Sequence, residues 1–307
     1  MTEPKHSRRR VLSLMAAGAA AAFAPTARAT PLRQWTGTAL GADARITIAG
    51  VSSDEAESHV AACLAEVERL ETVFSLYRSD SEISRLNRDG HLARPSPELR
   101  QLIDIALAVH RKTDGRFDPA VESIWHQRTT ACDMASLQRT FEHLRSSAAE
   151  IVMPDGMTLT FNGIAQGFIT DAVSALMRRR GLTRILIDMG ETRTSDDTVS
   201  QRPWTIALPG NLGEFRIHNG ALATSVAQTL ELCPGKGIAH IVDPRTSKTP
   251  QHWQSVTVHH HSATWADALS TALFLAAPHE IADIGGRFPG VKVWAASQVH
   301  SPVVFAT

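Results

Sequence analysis

The sequence predicts an α+β fold. Amphipathic helical periodicity dominates the first half of the chain, short apolar runs between turn residues dominate the second, and one more helix is set among the late strands. No Pro-, Gly- or Ser-rich linker divides the two halves, so they are expected to interlock as a mixed sheet with packed helices, a single compact unit over residues 30–307.

Residues 1–29 read as an export signal. Ser7-Arg8-Arg9-Arg10-Val11-Leu12 precedes an Ala-rich apolar run, and Ala27-Arg28-Ala29 offers a small-x-small cleavage site. The twin arginines point to export of the folded chain into a periplasm; an ordinary secretory signal or an uncleaved anchor is the alternative. The run from Val11 to Ala24 falls short of the ~20 residues a spanning helix needs, so no stable membrane insertion is expected.

Beyond the signal, Arg45 to Ala49 alternates as a strand. Ser52 and Glu55 form a capping box for a helix carrying Val60, Leu64, Val67, Leu70 and Phe74 at helical spacing. A polar loop is expected from Ser79 to Asn87. Ser96-Pro97 opens a helix through Leu99, Leu102, Ile103, Ala106 and Val109, closed by Gly115. A third amphipathic stretch is expected from Ser136 to Ala149. From Met157 strands are expected at Leu159–Phe161, Arg184–Met189, Trp204–Leu208, Ile238–Val242, Ser255–Val258 and Val291–Ala296. Phe168 to Arg180 reads as a helix whose terminal Arg178-Arg179-Arg180 and Gly181 suit a solvated C-terminus. Asn219-Gly220 signals a tight turn.

Composition excludes some functions. Lys+Arg and Asp+Glu both number 31, and without a basic stripe the chain does not read as a nucleic-acid binder. The cysteines, Cys63, Cys132 and Cys233, are odd in number and unevenly spaced, so they define no disulfide framework, although a Cys132–Cys233 pair is compatible with an oxidising compartment. Cys63 falls on an apolar helical stripe and reads as a buried thiol.

Asp267 and Thr271 are four residues apart at the start of a predicted helix, hence on one face. A carboxylate and a hydroxyl there are hard oxygen donors that suit Mg²⁺, although the same spacing occurs on solvated helices. Asn162-Gly163-Ile164-Ala165-Gln166-Gly167 sits between a predicted strand and helix. Such a turn either cradles an anion such as a pyrophosphate on its free N–H groups or is a tight turn and nothing more. In His240-Ile241-Val242-Asp243-Pro244-Arg245-Thr246, Asp243 either caps a turn or serves a ligand, and Arg245 pairs with it or with a phosphate. Gly115-Arg116-Phe117-Asp118-Pro119 reads similarly, with Asp before Pro as a turn former. His259-His260-His261 alternate on an extended segment and cannot all reach one ion. Ser225 is a candidate polar contact.

Taken in order, these segments resemble the FAD:protein FMN transferase family, also called ApbE. Leu40-Gly41-Ala42 resembles its early Met-Gly-Thr. Phe74 to Arg78 with Ser81 to Asn87 resembles its Ser-x-(Tyr/Trp) and Ser-Glu-Ile-x-x-Leu-Asn block, and Asp114 to Val121 its Gly-Gly-x-Phe-Asp-Pro-Thr-Val. Asn162 to Gly167 with Asp171 resembles Gly-Gly-Ile-Ala-Lys-Gly-x-x-x-Asp, and His240 to Thr246 and Ala263 to Leu273 resemble the last two blocks.

The resemblance implies a T-fold-related architecture and a Mg²⁺-dependent enzyme. It would split FAD between its phosphates, pass FMN to a Thr or Ser hydroxyl of an exported acceptor protein or membrane-protein domain, and release AMP. By that analogy Asp267, Thr271 and the Gly163 carbonyl hold the metal. Tyr77 lies against the flavin, with Leu40 and Phe117 as apolar neighbours, while Arg116, Asp118, Thr160, Gln166 and Ile241 border the nucleotide. His240 and Asp243 are the candidate catalytic groups. An FAD pyrophosphatase using water, or a non-catalytic flavin carrier serving a redox complex, are the alternatives. The chain departs from the family pattern at four places: Thr160 for Asp, Gln166 for Lys, Gly190-Glu191 for Gly-Gly, and Thr224-Ser225-Val226 for Thr-Ser-Gly.

Overall fold

The computed structural model describes residues 31–40, 42–123, 141–196, 202–210, 212–227, 241–248, 250–297 and 302–306. The expected export signal at residues 1–29, Cys132, Cys233 and His240 lie outside the described residues.

Among the described residues, eight strands form the main sheet, in the order β1 (Leu32–Ala39), β2 (Ala42–Ala49), β6 (Ile185–Asp188), β7 (Thr192–Ser195), β10 (Gly220–Val226), β11 (Ser255–His260), β12 (Lys292–Ala296) and β13 (Val303–Ala306). The α+β class is as expected. Among the described residues the sheet is not mixed, however: each of its seven ladders there is antiparallel. A small sheet orders β3 (His91–Ala93), β5 (Glu150–Val152) and β4 (Arg145–Ser146), and β8 (Trp204–Ala207) pairs with β9 (Glu214–Ile217).

The helices α1 (Ser53–Phe74), α4 (Ala165–Arg179) and α5 (Ala263–Phe274) lie along the main sheet, α1 on β1, α4 on β6 and β7, and α5 on β10 and β11. Because α1 touches α4 and α4 touches α5, the three form one layer. The sheet side chains beneath them are the period-2 apolar set, including Ile46, Ile48, Ile185, Ile187, Val256, Val258 and Val293, all essentially inaccessible. The opposite face over β11 and β12 is covered by the β8–β9 hairpin, where Phe215 packs edge-to-face on His259 and at a tilt on Trp294, at ring centroid distances of 5.1 and 4.8 Å.

Local chemistry explains the helix ends. Ser52 and Glu55 form the expected capping box on α1. Ser96 caps α3 (Pro97–Lys112), with Pro97 in the first turn. The expected loop from Ser79 to Asn87 is instead largely a helix, α2 (Glu82–Asp89). Ser81 caps it by accepting from the Ser84 amide at 3.1 Å, Ile83 and Leu86 bury one face, and Gly90 ends it at φ 67°. The helix expected over Ser136–Ala149 is not seen in its described part. A 3₁₀ turn at Phe141–His143 leads into β4, and Ser147 accepts from the Ala149 and Glu150 amides to turn the chain back into β5. Leu159–Phe161 joins no ladder either. The Asn87 side chain takes both backbone groups of Leu159, each at 2.8 Å, while the Thr160 amide donates to the Pro119 carbonyl. Of the strand expected at Ile238–Val242, the described Ile241 and Val242 are not in a strand.

Cys63 is buried as expected, and burial pushes its thiol up to about 12. Among the described residues no helix is long and apolar enough to cross a membrane.

Candidate active site

α5 is buried on every side, and Asp267 is its only charged residue. Small residues, Ala263, Ala266, Ala268 and Ala272, let it lie close to α4 and the sheet. Its N-terminus is anchored from α4. The Asp171 carboxylate accepts from Ser262 Oγ (2.6 Å), the Ala263 amide (3.0 Å), the Thr264 amide (3.0 Å) and Thr264 Oγ1 (2.8 Å), a second cap beside that of Ser262.

This anchoring holds Asp267 and Thr271 where the turn 162–167 meets them. The Gly167 amide, in the first turn of α4, donates to Asp267 Oδ2 at 3.0 Å. A Cβ on Gly167 would fall 2.3 Å from the Ala263 carbonyl oxygen, so only glycine permits this approach of the two helices. A Cβ on Gly163 would fall 2.9 Å from Thr271 Oγ1 and 3.5 Å from the Phe117 ring. The anion expected on the free amides of this turn is therefore, at Gly167, the protein's own carboxylate.

A cavity of about 290 Å³ opens over this junction. Gly163, Asn162, Gln166, Asp267 and Thr271 line one side; Arg116, Phe117, Asp118 and Thr160 another; Glu191, Thr224, Ser225, Val226 and Ile241 the rest. Nine of the expected site residues thus meet at one place: Arg116, Phe117, Asp118, Thr160, Gly163, Gln166, Ile241, Asp267 and Thr271. Ser225 Oγ lies 2.9 Å from Ser270 Oγ and 3.5 Å from Thr271 Oγ1, tying β10 to α5.

Three of the expected residues sit elsewhere. Tyr77 is 95% exposed in the turn after α1 and Leu40 is half-buried at the end of β1, neither lining the cavity. Asp243 is buried beside the cavity rather than in its wall. Its carboxylate accepts from the Arg245 amide (2.9 Å), Nε (2.9 Å) and Nη2 (2.6 Å), and its backbone carbonyl accepts from the Ser247 amide (2.7 Å). In this structure Asp243 closes the turn and pairs with Arg245.

Electrostatics distinguish the cavity. Burial raises Asp267 to about 7, against the stabilising Gly167 amide. Glu191 is pushed well above the usual carboxylate range, first by burial and then by the Asp267 charge, while the Thr224 amide opposes the shift. Asp118 is raised by burial, with His110, whose Nδ1 lies 3.6 Å away, opposing it. Arg116 is turned to Glu280 and Asp114.

The oxygens fit a hard divalent cation. Among the described residues no group of three or more His, Cys, Asp or Glu lies together in a way that could hold a metal. What converges is instead a carboxylate, a hydroxyl and a backbone turn too close to Thr271 to carry a side chain, the donor mixture that Mg²⁺ takes. Asp171 belongs to the motif of the 162–167 turn, but its role of placing α5 was not legible there, and Glu191 was visible in the sequence only as a departure.

An antiparallel α+β fold with hard oxygens beside a glycine turn at one cavity defines the class. The ApbE family model matches residues 40–294, and the chain belongs to the ApbE family. An FAD:protein FMN transferase of Klebsiella pneumoniae is 25% identical over 299 residues, spanning 87% of this chain and 85% of its own. That of Chlamydia trachomatis is 28% identical over 231 residues, covering 67% and 72%. In fold, the chain is similar to apo Pseudomonas stutzeri flavinyl transferase ApbE (TM-score 0.74, 21% identity, 91% and 96% covered) and to the ApbE protein of Thermotoga maritima (TM-score 0.76, 22%, 89% and 96%).

Proposed function

We propose that this chain is an exported, Mg²⁺-dependent FAD:protein FMN transferase that moves FMN from FAD to a Thr or Ser hydroxyl of an exported acceptor and releases AMP. The observation that carries the reading is the meeting of Asp267, Thr271 and the Gly163 turn at one cavity. The matched relatives bear the name of this activity. Export rests on the twin-arginine signal in residues 1–29.

Asp267, Thr271 and the Gly163 carbonyl would hold Mg²⁺, which when bound offsets negative charge on the phosphates and orients them. The protein's own part is positional. Gly163 lets backbone approach Thr271 closely at the cavity, and Gly167 lets α4 approach α5. Phe117, Val121 and Ile241 supply apolar wall for ring surface. The volume is at the lower end of the ~300–1,000 Å³ of small-molecule sites, so a dinucleotide as long as FAD would extend beyond it. The exposed Tyr77 ring is available for such an overhanging flavin. Attack by the acceptor hydroxyl on the FMN-side phosphorus forms one P–O bond and breaks the bond to the AMP oxygen; the hydroxyl proton leaves as the ester forms.

The test is incubation with FAD and Mg²⁺, with and without a Thr-bearing acceptor domain, read by mass spectrometry. An FMN-sized adduct on the acceptor with equimolar AMP is expected. Free FMN and AMP without adduct would indicate hydrolysis, and unchanged FAD a carrier; either result overturns the transferase reading.

A further inference from the structure

Glu191 stands in the turn between β6 and β7, lines the same cavity as Asp267 and Thr271, and is only 6% exposed. One of its oxygens accepts from the Thr224 amide. The other, Oε2, is buried without a hydrogen-bond partner. A carboxylate oxygen removed from water and left unpaired is costly unless something at the site binds it.

Two independent links bring Glu191 to the Asp267 junction. Gln166, next to Gly167, packs on the residue before Glu191, since a Cβ on Gly190 would sit 3.1–3.2 Å from its amide group. On the other side, Thr224 holds Glu191 while its neighbour Ser225 contacts Ser270 and Thr271. No described cationic side chain compensates either carboxylate. Two buried negative groups facing one cavity repel one another, and a divalent cation between them removes that repulsion.

We propose that Glu191 is a further ligand of the cation site, adding a second carboxylate to Asp267, so that this chain binds its divalent cation before any nucleotide arrives. The inference rests on the cation site proposed above. Ligand charge count tunes the affinity of oxygen-donor sites, so a second carboxylate allows binding without phosphate oxygens to complete the shell. Glu191 occupies a place where the family pattern resembled in sequence has glycine, so the extra ligand is a property of this chain.

The test is Mn²⁺ titration of the full-length, nucleotide-free protein, followed by the electron paramagnetic resonance signal of free Mn²⁺ with Mg²⁺ as competitor. Saturable one-site binding is expected, weakened at least about 10-fold in Glu191→Gln and in Glu191→Ala. Glu191→Gln keeps an oxygen for the Thr224 amide, so its metal-free unfolding midpoint should match wild type, separating ligation from a structural effect. Asp267→Asn serves as the control for the site itself. Wild-type affinity in both Glu191 variants, with binding lost in Asp267→Asn, overturns the ligand assignment and leaves the cation site standing. Wild-type affinity in all three variants overturns both.

Discussion

The backbone amide of Gly167 donates to Oδ2 of Asp267 at 3.0 Å, joining the first turn of α4 to the middle of the buried helix α5. This one bond sets the direction of a carboxylate that has no cationic partner among the described residues. Asp267→Asn keeps an acceptor for Gly167 and removes the charge alone. With trace metals removed and Mg²⁺ then titrated back, we expect FAD turnover to fall by more than about 100-fold. The metal-free unfolding midpoint should hold or rise, since a charge is no longer buried. Full turnover in that variant would disprove the metal role.

The contact also depends on a missing side chain. A Cβ on Gly167 would fall 2.3 Å from the Ala263 carbonyl oxygen and 2.9 Å from Asp267 Cβ. Neither neighbour is the loose end of a flexible side chain, so Gly167→Ala must force α4 and α5 apart. A loss of about 1–3 kcal/mol is expected in urea unfolding, with weaker Mn²⁺ binding in parallel. A variant with unchanged stability and unchanged metal affinity would mean the helices have slack there.

How far such features could be read in advance depends on their range. Asp267 and Thr271 were legible because a helix turns spacing into proximity, and the Ser52 and Ser96 helix starts because their partners lie within three residues. The helix α2 was hidden because its eight residues include only two apolar positions, Ile83 and Leu86, and its polar remainder resembles a loop. Leu159–Phe161 looked like a strand because periodicity cannot show that a distant side chain, Asn87, takes the backbone groups a ladder would use. Asp171 and Glu191 act across 91 and 33 residues, on Ser262 and through Thr224, and no local pattern encodes such pairings.

Asp171 gives the third prediction. Its carboxylate accepts four hydrogen bonds from the start of α5 and lies 3.4 Å from Arg193 Nε. Asp171→Ala uncaps the helix that carries Asp267 and Thr271, and leaves a largely buried guanidinium without its carboxylate. Destabilisation of about 2–3 kcal/mol is expected, together with a lower kcat, whereas Asp171→Asn should recover part of both. Equal effects of Ala and Asn would show that the charge, not the acceptor geometry, sets the position of α5.

Tyr77 is 95% exposed, and its ring packs on nothing that stability requires. If the flavin overhangs the cavity as proposed, Tyr77→Ala should weaken FAD binding about 3- to 10-fold, the worth of one aromatic contact, with kcat nearly intact. Its unfolding curve should superimpose on wild type. An unaltered dissociation constant in a fluorescence titration would remove Tyr77 from the flavin site.

Acid sensitivity should come from the His run at the end of β11. His259 and His260 are both lowered to about 4. Burial is the main cause for each, followed by Lys292, Arg193 and His261 around His259, and by His261 and His259 around His260, where Ser262 and Asp171 oppose. In the unfolded chain both imidazoles titrate near ~6.5. Between these values the unfolded chain binds more protons than the folded one, so stability rises with pH across the window. The contribution is complete above about pH 6.5 and is lost as pH falls towards 4, once the unfolded state charges and the folded state cannot. Urea midpoints measured at constant ionic strength should therefore drop steeply below about pH 6.5. In His260→Asn, which can still accept from the Ser262 amide, the drop should be shallower. Parallel pH profiles for the variant and wild type would place the acid-sensitive groups elsewhere in the fold.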